Sequence, residues 1–247
     1  MRRGGRMSRI VTAALLLLAA LPARAGDRVA VLVELFTSEG CSSCPPADAV
    51  LARLVREQPV QGVEILALSE HVDYWDSLGW QDPYSHRIFT ERQQTYSSHL
   101  RRGNIYTPQA VVDGRAEVLG SDEQAARSAA VQAAGQPHGT ITALRRGNAL
   151  HLEATLPPHS GAEVLLAAVD DPPPGRVARG ENAGRTLSHV RVVRELRRIG
   201  RIEQGAWSGD VDLGAQAATL RLVAFVQERS SGRVLASATW DPPGRRP

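Results

Sequence analysis

The sequence predicts an α/β domain over residues 26–136, followed by a smaller, mostly antiparallel β-sandwich-like domain over residues 137–247. Stretches typical of buried strands and of helices alternate in the first part, as they do when helices cover a largely parallel sheet. Short alternating strands between turn clusters of proline and glycine fill the second part, which is typical of antiparallel sheets. The boundary falls in the turn-forming segment 134–137.

The first predicted strand is followed closely by the first predicted helix. Residues 28–36 are rich in valine and leucine and carry few charges, as in a strand buried on both faces. Residues 47–56 repeat apolar side chains at helical spacing. Pro45 and Pro46 fit only if this helix begins near Cys44, because proline is tolerated in the first turn and breaks a helix later. The remaining elements predicted for this domain are strands at 63–68, 109–113 and 116–119 and helices at 83–100 and 121–134.

The second domain is predicted from alternating polar and apolar residues. Its strands are expected at residues 140–145, 150–155, 163–169, 187–197, 220–227 and 234–240. A polar cluster from Arg179 to Arg185 contains two glycines and two arginines. This cluster is either a solvated loop, or a binding loop or docking surface for the first domain.

The first 25 residues have the pattern of a secretory signal peptide. Four arginines precede an apolar stretch from Ile10 to Leu21, and Ala23 and Ala25 offer the small residues that signal peptidase recognises. The stretch is shorter than the roughly 20 residues that cross a bilayer. We expect cleavage after Ala25 and a periplasmic or secreted protein with no membrane span in its mature chain. An uncleaved anchor is the alternative.

Charge and composition exclude several classes of function. Five of the 29 basic residues lie in the predicted signal peptide, so the mature chain has 29 − 5 = 24 basic against 26 acidic residues. With no surplus of positive charge and few aromatics, we expect no nucleic-acid partner. Every basic residue is arginine, which excludes lysine Schiff-base chemistry and a Walker-type phosphate loop.

The two cysteines of the chain form a Cys-x-x-Cys motif at the junction of the first strand and helix. Cys41 would lie at the positive end of the helix, with Cys44 as a nearby hydrogen-bond donor. Such motifs lower a cysteine pKa from about 8.5 to roughly 3.5–7, which makes the first sulfur a nucleophile. The second sulfur can then resolve a mixed disulfide. The alternatives are an inert structural disulfide and half of a zinc site.

The order strand, helix, strand, helix, strand, strand, helix, with Cys-x-x-Cys opening the first helix, resembles the thioredoxin fold. Thr107-Pro108, directly before the third strand, adds to the resemblance. The resemblance implies that Pro108 is cis and lies against the cysteine pair, and that the backbone of Thr107 hydrogen-bonds an extended substrate. A plain turn proline is the alternative.

The chain also resembles, more closely, a family of secreted bacterial thioredoxin-like proteins of unassigned function. The segments that carry this resemblance are 34–48, 71–76, Gly79-Trp80, Asp82-Pro83, Arg92-Gln93 and Tyr96. The resemblance covers most of the mature chain. It implies a thioredoxin-like fold and export, and no particular substrate.

His71 is the next candidate for chemistry, because it leaves the second strand at its carboxyl end. Parallel neighbours place that end beside Cys41, where ligands of open α/β sheets gather. His71 would act as proton donor or acceptor, oriented by Asp73. Tyr74, Trp75 and Trp80 would line an apolar lip that binds an unfolded peptide or another thiol substrate. The alternative is a structural histidine and aromatics that cover the edge of the fold.

Arg92 and Tyr96 share one face of the helix that follows. Packing of this face, with Arg92 tied to an acid such as Asp73 or Asp76, is favoured over a ligand site. Glu39, two residues before Cys41, would oppose thiolate formation if it faced the sulfur.

The function predicted is an exported thiol-disulfide oxidoreductase whose Cys41–Cys44 disulfide exchanges with a protein or small-molecule thiol or disulfide. No metal and no cofactor are expected, and an oxidising compartment favours the disulfide as the resting state. Two alternatives remain. One is a non-enzymatic binding module with a structural disulfide. The other is a copper(I)-binding or delivery protein that uses Cys41, Cys44 and a histidine.

Overall fold

A computed structural model describes residues 28–101, 103–146, 148–159, 161–214 and 219–242 of the protein. The predicted signal peptide lies outside these residues. The helices are α1 (Pro45–Glu57), α2 (Arg87–His99) and α3 (Glu123–Ala134), with a short 3-10 helix at Asp76–Leu78. The strands are β1 (Val29–Thr37), β2 (Val63–His71), β3 (Gln109–Val112), β4 (Ala116–Leu119), β5 (Thr140–Arg146), β6 (Ala149–Thr155), β7 (Ala162–Asp170), β8 (Gly175–Arg176), β9 (Thr186–Leu187), β10 (Val192–Ile202), β11 (Ala206–Asp212), β12 (Arg221–Glu228) and β13 (Val234–Trp240).

The first half contains its strands and helices in the predicted order. β1 pairs in parallel with β2 from Val29↔Val63 to Thr37↔His71, and β3 pairs antiparallel with β1. Because the register joins Thr37 to His71 and Phe36 to Gln109, the ends of β1 and β2 and the start of β3 meet at one edge of the sheet.

The sequence predicts a second domain with sheets of its own, but the structure shows that the two halves share a sheet. Eight strands form one sheet in the order β13-β12-β7-β10-β2-β1-β3-β4, which runs across the predicted boundary at residue 136. The junction is the parallel pairing of Val192 with Ser69, whose N–H donates to Arg191 O at 2.9 Å. Without β10, the outer edge of β2 would present unpaired backbone groups. Five consecutive buried residues in β12 show that the sheet is covered on both faces there.

A second, three-stranded sheet in the order β11-β6-β5 packs on the antiparallel half of the large sheet. Leu150, Leu152 and Val211 of the small sheet pack with Leu166 and Leu222 of the large one. A sandwich therefore forms, but one of its layers is the large sheet itself.

The faces of the β1–β2 region are covered by different helices. Alternate residues of β1, such as Val33 and Leu35, pack with Leu54 of α1 and Ala130 of α3. The intervening side chains, such as Phe36, pack on the α2 side. The candidate functional site lies at the carboxyl ends of β1 and β2. In the part of the chain that the structure describes, no helix is long and apolar enough to cross a membrane.

Candidate functional site

Cys41 and Cys44 form a disulfide between the end of β1 and the start of α1. Their Cα atoms are 5.4 Å apart, within the usual range for a disulfide. Cys44 is the N-cap of α1, with Pro45 and Pro46 in the first turn. Proline is accepted there because the first N–H groups of a helix have no intrahelical partner. The helix thus begins where the sequence predicts.

Both cysteines are fully buried, with 0% of their surface exposed, although Ser42 and Ser43 between them are exposed. A partner molecule therefore cannot reach either sulfur until part of the surrounding structure moves. Residues from the second half of the chain contribute to this burial.

The polar cluster 179–185, here called the cover loop, lies on the Cys-x-x-Cys segment. Asn182 is fully buried, and its Nδ2 donates to the carbonyl oxygens of Glu39 and Cys41, each at 2.9 Å. The carboxylate of Glu181 accepts a hydrogen bond from Ser42 N at 3.1 Å, and bonding to Ser42 lowers the pKa of Glu181. The cluster is therefore not a solvated loop, because it docks on the first half of the chain.

The cover loop is the tip of a small hairpin. β8 and β9 pair antiparallel and hold the two ends of the loop together. Gly180 has φ of +76°, and a Cβ added there would lie 3.1 Å from Trp80 Cβ. Glycine is therefore needed for the loop to approach Trp80 in this conformation. Arg185 Nη1 donates to Asn182 Oδ1 at 2.8 Å and fixes the orientation of the amide.

His71 lies at the predicted sheet edge and is held by Asp82. Both side chains are fully buried, and His71 Nδ1 is 2.7 Å from Asp82 Oδ2. The same carboxylate accepts hydrogen bonds from the N–H groups of Glu39 at 2.7 Å and Tyr84 at 2.9 Å. Burial raises the pKa of Asp82, but the charge of His71 and these hydrogen bonds outweigh it, so the pKa lies below its ordinary value.

The predicted role of Asp73 in orienting His71 is therefore taken by Asp82. Asp73 Oδ1 instead accepts a hydrogen bond from Thr90 Oγ1 at 2.5 Å. The physical reason is that the chain turns at the end of β2, which sends Asp73 toward α2, whereas Asp82 returns to the strand ends. The Asp82-Pro83 element of the family resemblance was the available signal for this residue.

His189 forms a second acid–histidine contact beneath the cover loop. Its Nε2 is 3.3 Å from Glu39 Oε1, and its Nδ1 is 3.6 Å from Asp48 Oδ2. Its ring meets the ring of His71 edge-on, with centroids 4.8 Å apart. Burial lowers the pKa of His189, but the nearby carboxylates of Glu39, Asp48 and Asp82 raise it above its ordinary value. Nothing in the sequence distinguishes His189 from the other histidines.

Asp48 joins this network to the cysteine-bearing helix. It lies four residues after Cys44 on α1 and is almost fully buried, so both side chains lie on the same side of the helix. Thr37 Oγ1 donates to its Oδ1 at 3.0 Å. Burial raises the pKa of Asp48 although His189 and His71 lower it. In the described residues, His71 Nε2 and His189 Nδ1 are buried without a hydrogen-bond partner.

The predicted substrate-binding residues lie at the same edge, and their polar atoms already have partners. Trp75 Nε1 donates to Thr107 Oγ1 at 2.8 Å, and Trp80 Nε1 donates to Glu39 Oε2 at 2.8 Å. Both tryptophans are half-buried. The Thr107–Pro108 peptide bond is cis, as the resemblance implies, and it directly precedes β3. The Glu39 carboxylate is thus tied to Trp80 and His189.

Arg92 and Tyr96 lie on the α2 face of the sheet and pack with acids other than those predicted. Arg92 Nε donates to Glu34 Oε1 at 2.6 Å and is 3.4 Å from Glu70 Oε1. Arg92 Nη2 also donates to the Tyr96 hydroxyl oxygen at 2.9 Å. The partners are neither Asp73 nor Asp76, because Arg92 points into the sheet, where Glu34 and Glu70 project from β1 and β2.

Glu34 and Glu70 form a buried carboxyl pair. Burial and the adjacent negative charge of Glu34 raise the pKa of Glu70 well above its ordinary value, although Arg92 opposes this. Glu70 therefore holds its proton to a higher pH than an exposed glutamate does. Within the described ranges, no group of three or more histidine, cysteine, aspartate or glutamate residues is arranged to hold a metal ion.

A family model described as "Protein of unknown function (DUF1223)" matches residues 32–227 of the chain. A crystal structure of an Agrobacterium tumefaciens protein, determined as a structural-genomics target, is similar with 24% sequence identity and a TM-score of 0.75. The similarity covers 90% of this chain and 99% of that chain. At this identity the likeness concerns the fold alone. No curated protein matches the chain.

Proposed function

We propose thiol-disulfide exchange as the function of this chain, which belongs to the DUF1223 family of proteins of unknown function. The Cys41–Cys44 disulfide is the redox group. The observation that carries the proposal is the position of this disulfide at the start of α1, at the sheet edge that also holds His71, His189 and Asp48. The helix that begins at Cys44 thus also carries Asp48, whose contact with His189 provides buried groups for proton exchange.

A thioredoxin-like fold for residues 26–136 is part of the proposal. The strand order β2-β1-β3-β4 supports it, with β1 and β2 parallel and β3 and β4 antiparallel to their neighbours. Cys41 and Cys44 at the start of α1, and Thr107-Pro108 directly before β3, support it as well. The predicted signal peptide places the protein in the periplasm or outside the cell, where an oxidised resting state is expected.

Reduction of the Cys41–Cys44 disulfide by a partner thiol proceeds in two steps. The thiolate of a partner attacks one sulfur, which forms a mixed disulfide and breaks the Cys41–Cys44 bond, and the other sulfur leaves as a thiolate. A second partner thiolate attacks the partner sulfur of the mixed disulfide, which releases the oxidised partner and the second protein thiolate. Each protein thiolate then takes one proton. The helix start stabilises negative charge on sulfur in both steps.

The buried network provides groups for the proton steps. Asp48 lies one helical turn from Cys44 and contacts His189, and the pKa values of both are raised. A raised pKa means that these groups hold a proton at a pH at which exposed carboxylates and imidazoles release it. We assign them the supply of a proton to the departing thiolate. His71 is held by Asp82, and its ring packs edge-on against the ring of His189.

A structural disulfide in a binding module is the second candidate, and the complete burial of both cysteines favours it. A closed disulfide of this kind stabilises a small loop by about 2 kcal/mol and takes no part in exchange.

Purified protein incubated with insulin and a thiol reductant separates the two candidates. Exchange activity predicts that insulin is reduced faster than by the reductant alone, and that Cys41→Ser abolishes the acceleration. Ser128→Ala is the control, because Ser128 is an exposed serine of α3 that lies beside Pro59 and Val60 and not in the Cys-x-x-Cys turn. If wild-type protein that was purified with its disulfide formed does not accelerate insulin reduction, the proposed function is refuted.

A further inference from the structure

A groove runs between α1 and the segment 185–190. Its volume is about 470 Å³, and it begins at Pro45, the residue that follows Cys44. On one side it is lined by α1 residues as far as Arg56, and on the other by Arg185 and the residues that lead to Val190. The groove therefore connects solvent with the junction between the cover loop and the Cys-x-x-Cys helix.

The side chains of this groove give it positive charge. Arg53, Arg56 and Arg185 line it, whereas the only carboxyl group in its lining is Asp48, which is almost fully buried. Arg53 is bound to Glu123 at 2.8 Å. In the part of the chain that the structure describes, no carboxylate forms an ion pair with Arg185.

Arg56 is paired only with its exposed neighbour Glu57, at 2.7 Å. Its side chain is 65% exposed, and an ion pair of this kind contributes little. The groove therefore offers two guanidinium groups, those of Arg56 and Arg185, to an incoming anion.

Arg185 also links the groove to the cover loop. It donates to Asn182 Oδ1 at 2.8 Å, and the amide of Asn182 donates to Glu39 O and Cys41 O at 2.9 Å each. An anion that binds Arg185 at Nη1 competes for the bond to Asn182. Loss of that bond removes one of the contacts that orient the amide over Cys41.

We infer that the groove binds the anionic part of the exchange partner, which is a thiol that carries a carboxylate. The inference rests on the proposed function and names its substrate class. The carboxylate pairs with Arg185, and this contact favours opening of the cover loop, while Arg56 adds positive charge farther along the groove. The thiolate of the same molecule then attacks the disulfide and forms a mixed disulfide, and a second such thiol completes the reduction.

The test compares three thiols that differ in charge: 3-mercaptopropionate, 2-mercaptoethanol and cysteamine. The rate at which each reduces the Cys41–Cys44 disulfide is divided by its rate with 2-hydroxyethyl disulfide, a neutral reference, so that intrinsic thiol reactivity cancels. Wild-type protein at low ionic strength is expected to favour the anionic thiol over the neutral one by about three- to fivefold. The cationic thiol is expected to be the slowest.

Two variants and a control locate the effect. Arg56→Gln is expected to lower the preference for the anionic thiol while leaving the rate with 2-mercaptoethanol unchanged. Arg185→Gln is expected to remove the preference and to accelerate reduction by all three thiols, because the cover loop loses a contact. Arg201→Gln changes an exposed arginine that pairs with Glu163 outside the groove, and it is expected to behave as wild type.

The outcomes separate this inference from the proposed function. Reduction by all three thiols at equal normalised rates would overturn the anionic partner and leave thiol exchange intact. A preference that persists in both groove variants would also overturn it. If no thiol reduces the disulfide of the native protein, the proposed function fails, and this inference fails with it.

Discussion

Removal of the Asn182 side chain is expected to open access to the disulfide. Asn182→Ala deletes two hydrogen bonds from Nδ2 to the carbonyls of Glu39 and Cys41. A hydrogen bond of this kind contributes about 0.5–1.5 kcal/mol, so the cover loop loses about 1–3 kcal/mol of closing free energy. The population of open molecules then rises by about 5- to 150-fold.

The rate of reduction reports this change directly. If the loop opens and closes faster than a reductant attacks, the rate follows the open population. Wild-type and variant proteins are treated with dithiothreitol, and free thiols are trapped with a maleimide and counted by mass spectrometry. We expect the variant to react at least about fivefold faster, which corresponds to about 1 kcal/mol.

Asn148→Ala is the matched control for this experiment. Asn148 is exposed, donates one hydrogen bond to Asp212 at 3.0 Å and lies far from the cysteines in the sheet system. Its variant is expected to be reduced at the wild-type rate. If wild type and Asn182→Ala are reduced at equal rates, access to the sulfur atoms does not depend on the cover loop.

Three further predictions concern the buried polar groups. Asp82→Ala leaves His71 without its partner and should lower the free energy of unfolding, measured by urea titration, by about 3–5 kcal/mol. An unchanged free energy of unfolding would mean that the pair does not stabilise the fold. Glu70→Gln removes a group whose pKa is raised by burial and by Glu34, so wild-type stability should fall as the pH rises above the ordinary glutamate range, and the variant should lose less. Equal pH slopes would contradict this protonation state. Arg92→Gln should destabilise the fold by about 3–5 kcal/mol by leaving Glu34 unpaired, and should leave the rate of disulfide reduction under native conditions unchanged. A parallel fall in that rate would instead connect Arg92 to the redox site.

Local patterns were sufficient to predict the order of strands and helices in the first half of the chain. The valine-rich run of β1 and the two prolines that restrict where α1 begins are both read from adjacent residues. The location of His71 followed from the same logic, since it ends a strand parallel to β1.

Contacts between distant parts of the chain could not be read in this way. The parallel pairing of Val192 with Ser69 joins the two halves, but no local pattern in β10 specifies its neighbour. The burial of both cysteines has the same origin, because Asn182 reaches Cys41 across 141 residues. The sequence pointed to the polar cluster but left its surroundings open.

Side-chain partners were the least predictable feature of the site. Several acids lie near His71 in sequence, and Asp82 is its partner only because the loop after β2 turns back. Likewise, Glu34 pairs with Arg92 because a polar residue occupies an inward position of a buried strand.

The reduction potential of the Cys41–Cys44 pair distinguishes a redox-active disulfide from a structural one. The native protein is equilibrated with mixtures of reduced and oxidised glutathione, and the fraction of dithiol is determined by acid quenching and thiol alkylation. The proposed exchange function predicts a reversible two-electron equilibrium with a potential between about −270 and −120 mV, the range of known thiol-disulfide oxidoreductases. A potential below about −300 mV, or a disulfide that opens only when the protein unfolds, would contradict it and identify the bond as structural.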